Sequence, residues 1–345
     1  MSPLFKVFAK MLNQNLRRIV LSLLYIAALV SSSNSLVVHA QQAPDKQAKP
    51  KVELPSGITW DFDVPYINDG DPAQRLDIYY PEQMTSQPLP LIVHIHGGGW
   101  MGGSKFPCDI RSMTKYGYVV ASVEYRFSQK AKFPAQIQDC QAAIRWLRAN
   151  AQRYNINPEK IGVIGGSAGG HLSALVGVAG GKRAFTVIGG NEDQSDAVQC
   201  VCDIFGPTNF ASVVEQAEND KNVKNIFKFN TPSDPYSELI GAKLSDKDKT
   251  AAVSPITYVD KNCPPTLILH GTHDTLVPFA QSEELEAAMK KQGVPVWLQT
   301  FPGAGHGGGA FSKPSVVLLT KKLFDKYLQG AEVNIELIPE AELAQ

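Results

Sequence analysis

Long apolar runs, an excess of either charge and metal-ligand spacings are all missing from this chain. Its 345 residues carry 33 Lys+Arg against 33 Asp+Glu, a balance that invites neither nucleic acid nor an anionic membrane surface. No cysteine pair is spaced with histidines as a zinc site requires, and no His-Glu-x-x-His occurs, so no metal is expected. The apolar run at residues 19–30 is only 12 residues long, where a membrane span needs roughly 20. Lys6, Lys10, Arg17 and Arg18 precede it and a polar stretch ending Val38-His39-Ala40 follows, the layout of a secretory signal peptide (1–40) cleaved after Ala40. The expected location is therefore secreted or periplasmic, without stable membrane insertion after cleavage. Removing residues 1–40 leaves 29 Lys+Arg against 33 Asp+Glu, a formal net charge of −4. Residues 41–55, rich in Gln, Ala, Lys and Pro, read as a disordered spacer.

Cysteine is scarce, five in all, and the odd number leaves at least one thiol without a partner in the same chain. Cys200 and Cys202 lie two apart on an expected strand and share a face, too far apart along it to bridge each other. Two readings stand: one disulfide, Cys202 to Cys263, or five reduced thiols.

What is present is a set of short, glycine-framed motifs. Gly165-Gly166-Ser167-Ala168-Gly169 follows the apolar strand Ile161-Gly162-Val163-Ile164 and opens a small-residue helix. A Gly-x-Ser-x-Gly turn between strand and helix exposes the serine hydroxyl above the sheet and turns the next backbone N–H, that of Ala168, toward a developing oxyanion. Upstream, an apolar strand runs into His96-Gly97-Gly98-Gly99-Trp100, where Gly98 and Gly99 offer bare N–H donors to complete an oxyanion hole. Downstream, the strand Thr266-Leu267-Ile268-Leu269-His270 leads to Asp274, and Gly303-Ala304-Gly305-His306-Gly307 places a histidine in a glycine loop after strand 296–301. The chain order Ser167, Asp274, His306 is that of α/β-hydrolases.

The rest of the chain alternates. Segments 59–64 and 75–80 predict an edge hairpin, and 91–96, 118–123, 161–164, 197–205, 266–270 and 296–301 predict further strands. Helices are expected at 110–116, 133–154, after Ser167, at 282–292 and at 315–328. Such alternation gives an α/β fold, a mostly parallel sheet with helices on both faces. Residues 56–330 form the expected catalytic domain, 331–345 a C-terminal tail, and the polar segment 209–250 either a small cap insertion shaping the pocket or a solvated excursion. Trp100 and Tyr125 are candidate pocket walls. His94, His96, His171 and His270 are expected to be structural, with His96 anchoring its loop.

Residues 96–105, the Gly-Gly-Ser-Ala-Gly-Gly-His-Leu segment, Phe205-Gly206-Pro207-Thr208, Ser254-Pro255-Ile256-Thr257-Tyr258 and His270-Gly271-Thr272-His273-Asp274 together resemble α/β-hydrolase carboxylesterases of the hormone-sensitive-lipase-like group. Within it they look most like the bacterial feruloyl and acetyl-xylan esterase branch, although Gly166 stands where that group commonly has an acidic residue. The resemblance implies a cofactor-free serine esterase acting on small-molecule or polysaccharide-linked esters such as short-acyl or feruloyl hemicellulose. Other readings are an arylformamidase or amidase of the same fold and a catalytically silent binding protein. A dinucleotide-binding reading rests on Gly97-Gly98-Gly99-Trp100-Met101-Gly102 with Glu124 after the next strand; Pro107 interrupts the helix it needs.

Overall fold

The computed structural model describes residues 50, 53–68, 70–220, 226–231 and 233–343. The expected signal peptide and most of the spacer lie outside the described residues. Eight strands form one sheet in the order β1-β2-β4-β3-β5-β6-β7-β8. The edge hairpin of β1 (Ile58–Pro65) and β2 (Arg75–Pro81) is antiparallel, and β2 also runs antiparallel to β4 (Val119–Val123). From β4 onward β3 (Leu89–Ile95), β5 (Ile156–Gly166), β6 (Cys200–Ile204), β7 (Thr266–Gly271) and β8 (Val296–Phe301) are all parallel. Between β3 and β5 the connections depart to opposite sides, and such a switch opens a crevice at the carboxyl ends of the strands.

Each central strand is buried on both faces, as parallel strands covered by helices must be. Leu91, Val93 and Ile95 of β3 face a core shared with α1 (Ala135–Ala149) and α2 (Ala168–Ala179). Ile92 and Ile164, of opposite pleat parity, join the core beneath the C-terminal helix Pro314–Phe324.

Several elements differ from expectation for local reasons. The helix expected at 133–154 stops at Ala149, because the Asn150 side chain donates 2.8 Å to the Trp146 carbonyl and caps the end. The strand expected at 197–205 begins only at Cys200, since the Ala197 carbonyl accepts from Arg148 Nη2 at 3.0 Å instead of a ladder partner. The helix expected at 110–116 is a 3₁₀ turn, Arg111–Tyr116, closed by Gly117 in the left-handed region. Residues 331–343 pack on the domain. Ile335 and Leu343 are buried, and the Gln299 side chain bonds both backbone groups of Ile338, which covers the otherwise open edge at β8.

All five cysteines are buried and unbridged. The Cys202–Cys263 pairing is therefore corrected: Cys202 points into the core beneath the C-terminal helix, with Cys200 on the same face, whereas Cys263 packs in the core on the α2 side. Segment 209–250 holds α3 (Val213–Asn219), α4 (Pro235–Ile240) and most of α5 (Lys247–Val253). Within it, Phe210, Tyr236 and Leu239 are fully buried in the α2-side core. Among the described residues no helix is long and apolar enough to cross a membrane.

Candidate active site

Ser167 joins β5 to α2 with φ +56° and ψ −122°. A non-glycine residue held there stores roughly 1–3 kcal/mol of strain, which the surroundings must enforce. They do so with the Ser167 N–H donating 2.8 Å to Ile204 O on β6 and the Ser167 carbonyl accepting 2.9 Å from His171 N. A Cβ on Gly169 would lie 2.1 Å from the Ile95 carbonyl, so only glycine lets α2 press so closely onto β3. The Ala168 N–H is the first of α2, one of the donors a helix leaves without an intrahelical acceptor.

The facing loop leaves β3 at His96. As expected, His96 anchors it: Nδ1 lies 2.7 Å from the Gly97 carbonyl and Nε2 2.8 Å from Glu124 Oε1. The other Glu124 oxygen accepts from Lys105 N at 3.0 Å, so one carboxylate ties both ends of the loop. Glu124 is thus committed to the protein itself, not to a nucleotide ribose. Gly98 has φ +117°, and a Cβ there would meet Gly102 O at 2.1 Å, so the loop tolerates no side chain at that donor.

Trp100, also at positive φ, donates from Nε1 to His171 Nδ1 at 3.1 Å. His171 Nε2 donates in turn to Val253 O at 2.8 Å, and burial pushes this imidazole down to about 4, so it stays neutral. Trp100 touches the cavity but is only 2% exposed. Tyr125 is no pocket wall. Its ring stacks on His96 at 4.5 Å and its hydroxyl donates to His96 O at 3.1 Å, burying it behind the loop.

His306 Nδ1 lies 2.6 Å from Asp274 Oδ2, and His270 Nε2 lies 3.2 Å from the same oxygen. Asp274 Oδ1 accepts from the N–H groups of Leu276 and Val277 at 2.8 and 2.9 Å. Burial works to raise this carboxyl, but the hydrogen bonds and charges of His270 and His306 outweigh it and hold it well below the usual range. His306 Nε2 is buried with no hydrogen-bond partner among the described residues, and its ring packs 4.4 Å from that of Phe205.

Asp203, near the end of β6, does not bond His306. It is fully buried, Oδ1 accepts from Gly206 N at 2.9 Å, and Oδ2 has no hydrogen-bond partner among the described residues. Burial pushes it up to about 7, against only partial relief from the Gly206 bond. Because the folded value lies above the unfolded value of about 3.9, its contribution to stability is complete at low pH and is lost as pH rises through about 7. Asp203→Asn is therefore expected to raise Tm at pH 8 by about 3–6 °C, with a smaller gain at pH 5. Thermal unfolding at the two pH values checks this, and equal shifts would reject it.

Ser167, Gly98, Gly99 and His306 open on one cavity of about 940 Å³ at the carboxyl ends of the strands. Phe205, Phe311 and Tyr236 also line it, and none of the three was found from sequence. Phe205 alone left a trace, as the residue directly after β6. Among the described residues no cluster of His, Cys, Asp and Glu could hold a metal ion.

A mostly parallel sheet with a strained serine after β5 and a His–Asp pair after β7 and β8 defines an α/β-hydrolase. Residues 76–289 match the BD-FAE family, and the chain belongs to it. Esterase LipC of Mycobacterium tuberculosis is 30% identical over 246 residues, 69% of this chain and 57% of LipC. The chain thus spans little more than half the length of that relative. Among solved structures, a truncated carbohydrate esterase from gut microbiota superposes with TM-score 0.70 at 33% identity, covering 79% of this chain and 96% of that one. An acetyl ester-xyloside bifunctional hydrolase from Caldicellulosiruptor lactoaceticus gives TM-score 0.60 at 26% identity, covering 80% and 96%.

Proposed function

We propose that this chain is an exported serine carboxylic-ester hydrolase, working through an acyl-enzyme on short-acyl or feruloyl esters of hemicellulose. One observation carries the reading. The Asp274-bound His306 presents an unpartnered Nε2 to the same cavity as the strained Ser167. In this mechanism Nε2 takes the Ser167 proton as Oγ attacks the ester carbonyl, and the N–H groups of Gly98, Gly99 and Ala168 receive the oxyanion. Asp274 holds the imidazole with its proton on Nδ1 and stabilises the imidazolium. Collapse of the tetrahedral intermediate expels the alcohol, which receives the proton from Nε2. Water activated by the same nitrogen then releases the acid and restores Ser167.

The hemicellulose assignment draws support from the xyloside- and carbohydrate-directed names of the structural neighbours. Export draws on the basic, apolar and small-residue layout of residues 1–40. The test is hydrolysis of p-nitrophenyl acetate, p-nitrophenyl octanoate and methyl ferulate by the full chain, with fluorophosphonate labelling followed by peptide mapping. The expected result is fast cleavage of acetate or ferulate and a label on Ser167. Labelling without ester cleavage would move the assignment to an amidase, and no labelling would leave a binding role.

A further inference from the structure

The cavity reaches beyond the serine's own side of the sheet. Ser167 leads into α2, whose Ala168 and Leu172 belong to one core, yet the lining also includes His94 and Ile164. His94 shares pleat parity with Ile92, and both Ile92 and Ile164 belong to the opposite core. The cavity therefore folds over the carboxyl edge of the sheet into a second arm. Ile110, Phe311 and Val317 give that arm apolar walls.

Its floor carries one polar ring with a fixed orientation. The Ser122 hydroxyl donates its proton to the Lys105 carbonyl at 2.7 Å. The 3.0 Å contact between Ser122 Oγ and His94 Nδ1 must therefore be a bond donated by His94. Burial, and secondarily the nearby His96, push the His94 imidazole down to about 4, so the ring is neutral. A neutral ring with its proton on Nδ1 carries a lone pair on Nε2, and among the described residues that atom has no hydrogen-bond partner. His94 lines the cavity.

We propose that His94 is the specificity residue of this arm, accepting through Nε2 a hydrogen bond from a hydroxyl on the half of the ester seated there. The inference rests on the ester-hydrolase reading of the site. A hydroxyl-bearing group satisfies the lone pair, whereas its deoxy analogue displaces water and leaves the acceptor unpaired between apolar walls.

Two matched substrate pairs separate the acyl from the alcohol half: methyl 4-hydroxycinnamate with methyl cinnamate, and 4-hydroxyphenethyl acetate with phenethyl acetate. In one pair the wild-type protein is expected to favour the hydroxylated ester by about 10–100-fold in kcat/KM. His94→Phe, which keeps a flat ring without an acceptor, is expected to bring that ratio near one. His94→Gln, which can donate to Ser122 and still present an oxygen, is expected to retain part of it. No preference in either pair, or a preference that survives His94→Phe, would overturn the proposal. Calorimetric affinities of the same pairs for Ser167→Ala keep the two readings apart, because binding there needs no turnover. Absence of hydrolysis with a hydroxyl preference in affinity would sink the esterase and spare His94. If His94→Phe does not fold, the wild-type ratio and His94→Gln decide, since a Gln variant with the full preference or a wild type with none both reject the role.

Discussion

Ser167→Ala is expected to lower kcat by roughly 10⁴–10⁶ while leaving the fold intact. The serine and histidine act as one unit, so removing the oxygen forfeits nearly all of the covalent route. Residual turnover would come from the Gly98, Gly99 and Ala168 donors and from binding alone. Alanine keeps the Cβ that makes φ +56° costly, so the strain of the elbow is unchanged. Its N–H still donates to Ile204 O, and stability should move by less than about 1 kcal/mol. Steady-state hydrolysis of p-nitrophenyl acetate beside thermal unfolding separates the two effects. Turnover near that of the wild type would end the mechanism, and a large fall in Tm would show that the loss was structural.

Asp274→Asn should cost about 10⁴ in kcat, and the direction follows from the hydrogen bonds. Oδ1 of Asp274 faces two N–H donors, from Leu276 and Val277, so an asparagine places its oxygen there. Its NH₂ then faces His306 Nδ1 and His270 Nε2, where the carboxylate had accepted. His306 is driven to the tautomer with its proton on Nε2, the nitrogen meant to receive the Ser167 proton. The enzyme should recover partly as pH rises and hydroxide can remove the serine proton directly. A loss below tenfold, measured as kcat between pH 6 and 9, would place the functional acid elsewhere.

The residues proposed to react stood out in the sequence because each is framed by its immediate neighbours. Ser167, Asp274 and His306 all follow an apolar strand; Gly169 after the serine and Gly271 before the acid answer to backbone crowding, whereas Gly303 and Gly308 beside the histidine meet nothing within 4 Å and serve a positive φ. His96 was likewise readable as an anchor, but its partner was not: Glu124 stood out only for the spacing of a ribose ligand, a reading that Pro107 opposed. The cavity walls were not readable. Phe205 meets Phe311 at a ring distance of 4.9 Å across a long stretch of sequence, and no periodicity announces that encounter. Tyr125 failed as a wall since proximity to a site does not say whether a ring lies in front of a loop or behind it. For Cys202 and Cys263, neighbouring segments were a fair inference, but pleat parity sent Cys202 to the far side of the sheet. His94 was expected to be structural, and its Nδ1 contacts Ser122 Oγ at 3.0 Å. That its second nitrogen remains open depends on where the Ser122 proton goes, and only the Lys105 carbonyl reveals this.

The proposed reacting centre is drawn from the ends of four strands, β3, β5, β7 and β8, of the parallel run β3-β5-β6-β7-β8. The donor loop, the serine and the acid–base pair come from distant stretches of the polypeptide, and β8 pairs with β7 as the last strand in the chain. No early-forming local unit contains a working set, and contacts between such distant segments close slowly. On the proposed mechanism, a ribosome-bound chain would stay inert until His306 has been made and β8 has docked. Recovery of activity after dilution from denaturant would then serve as a clock for the final pairing of the sheet, lagging behind any signal from α1 or α2 alone.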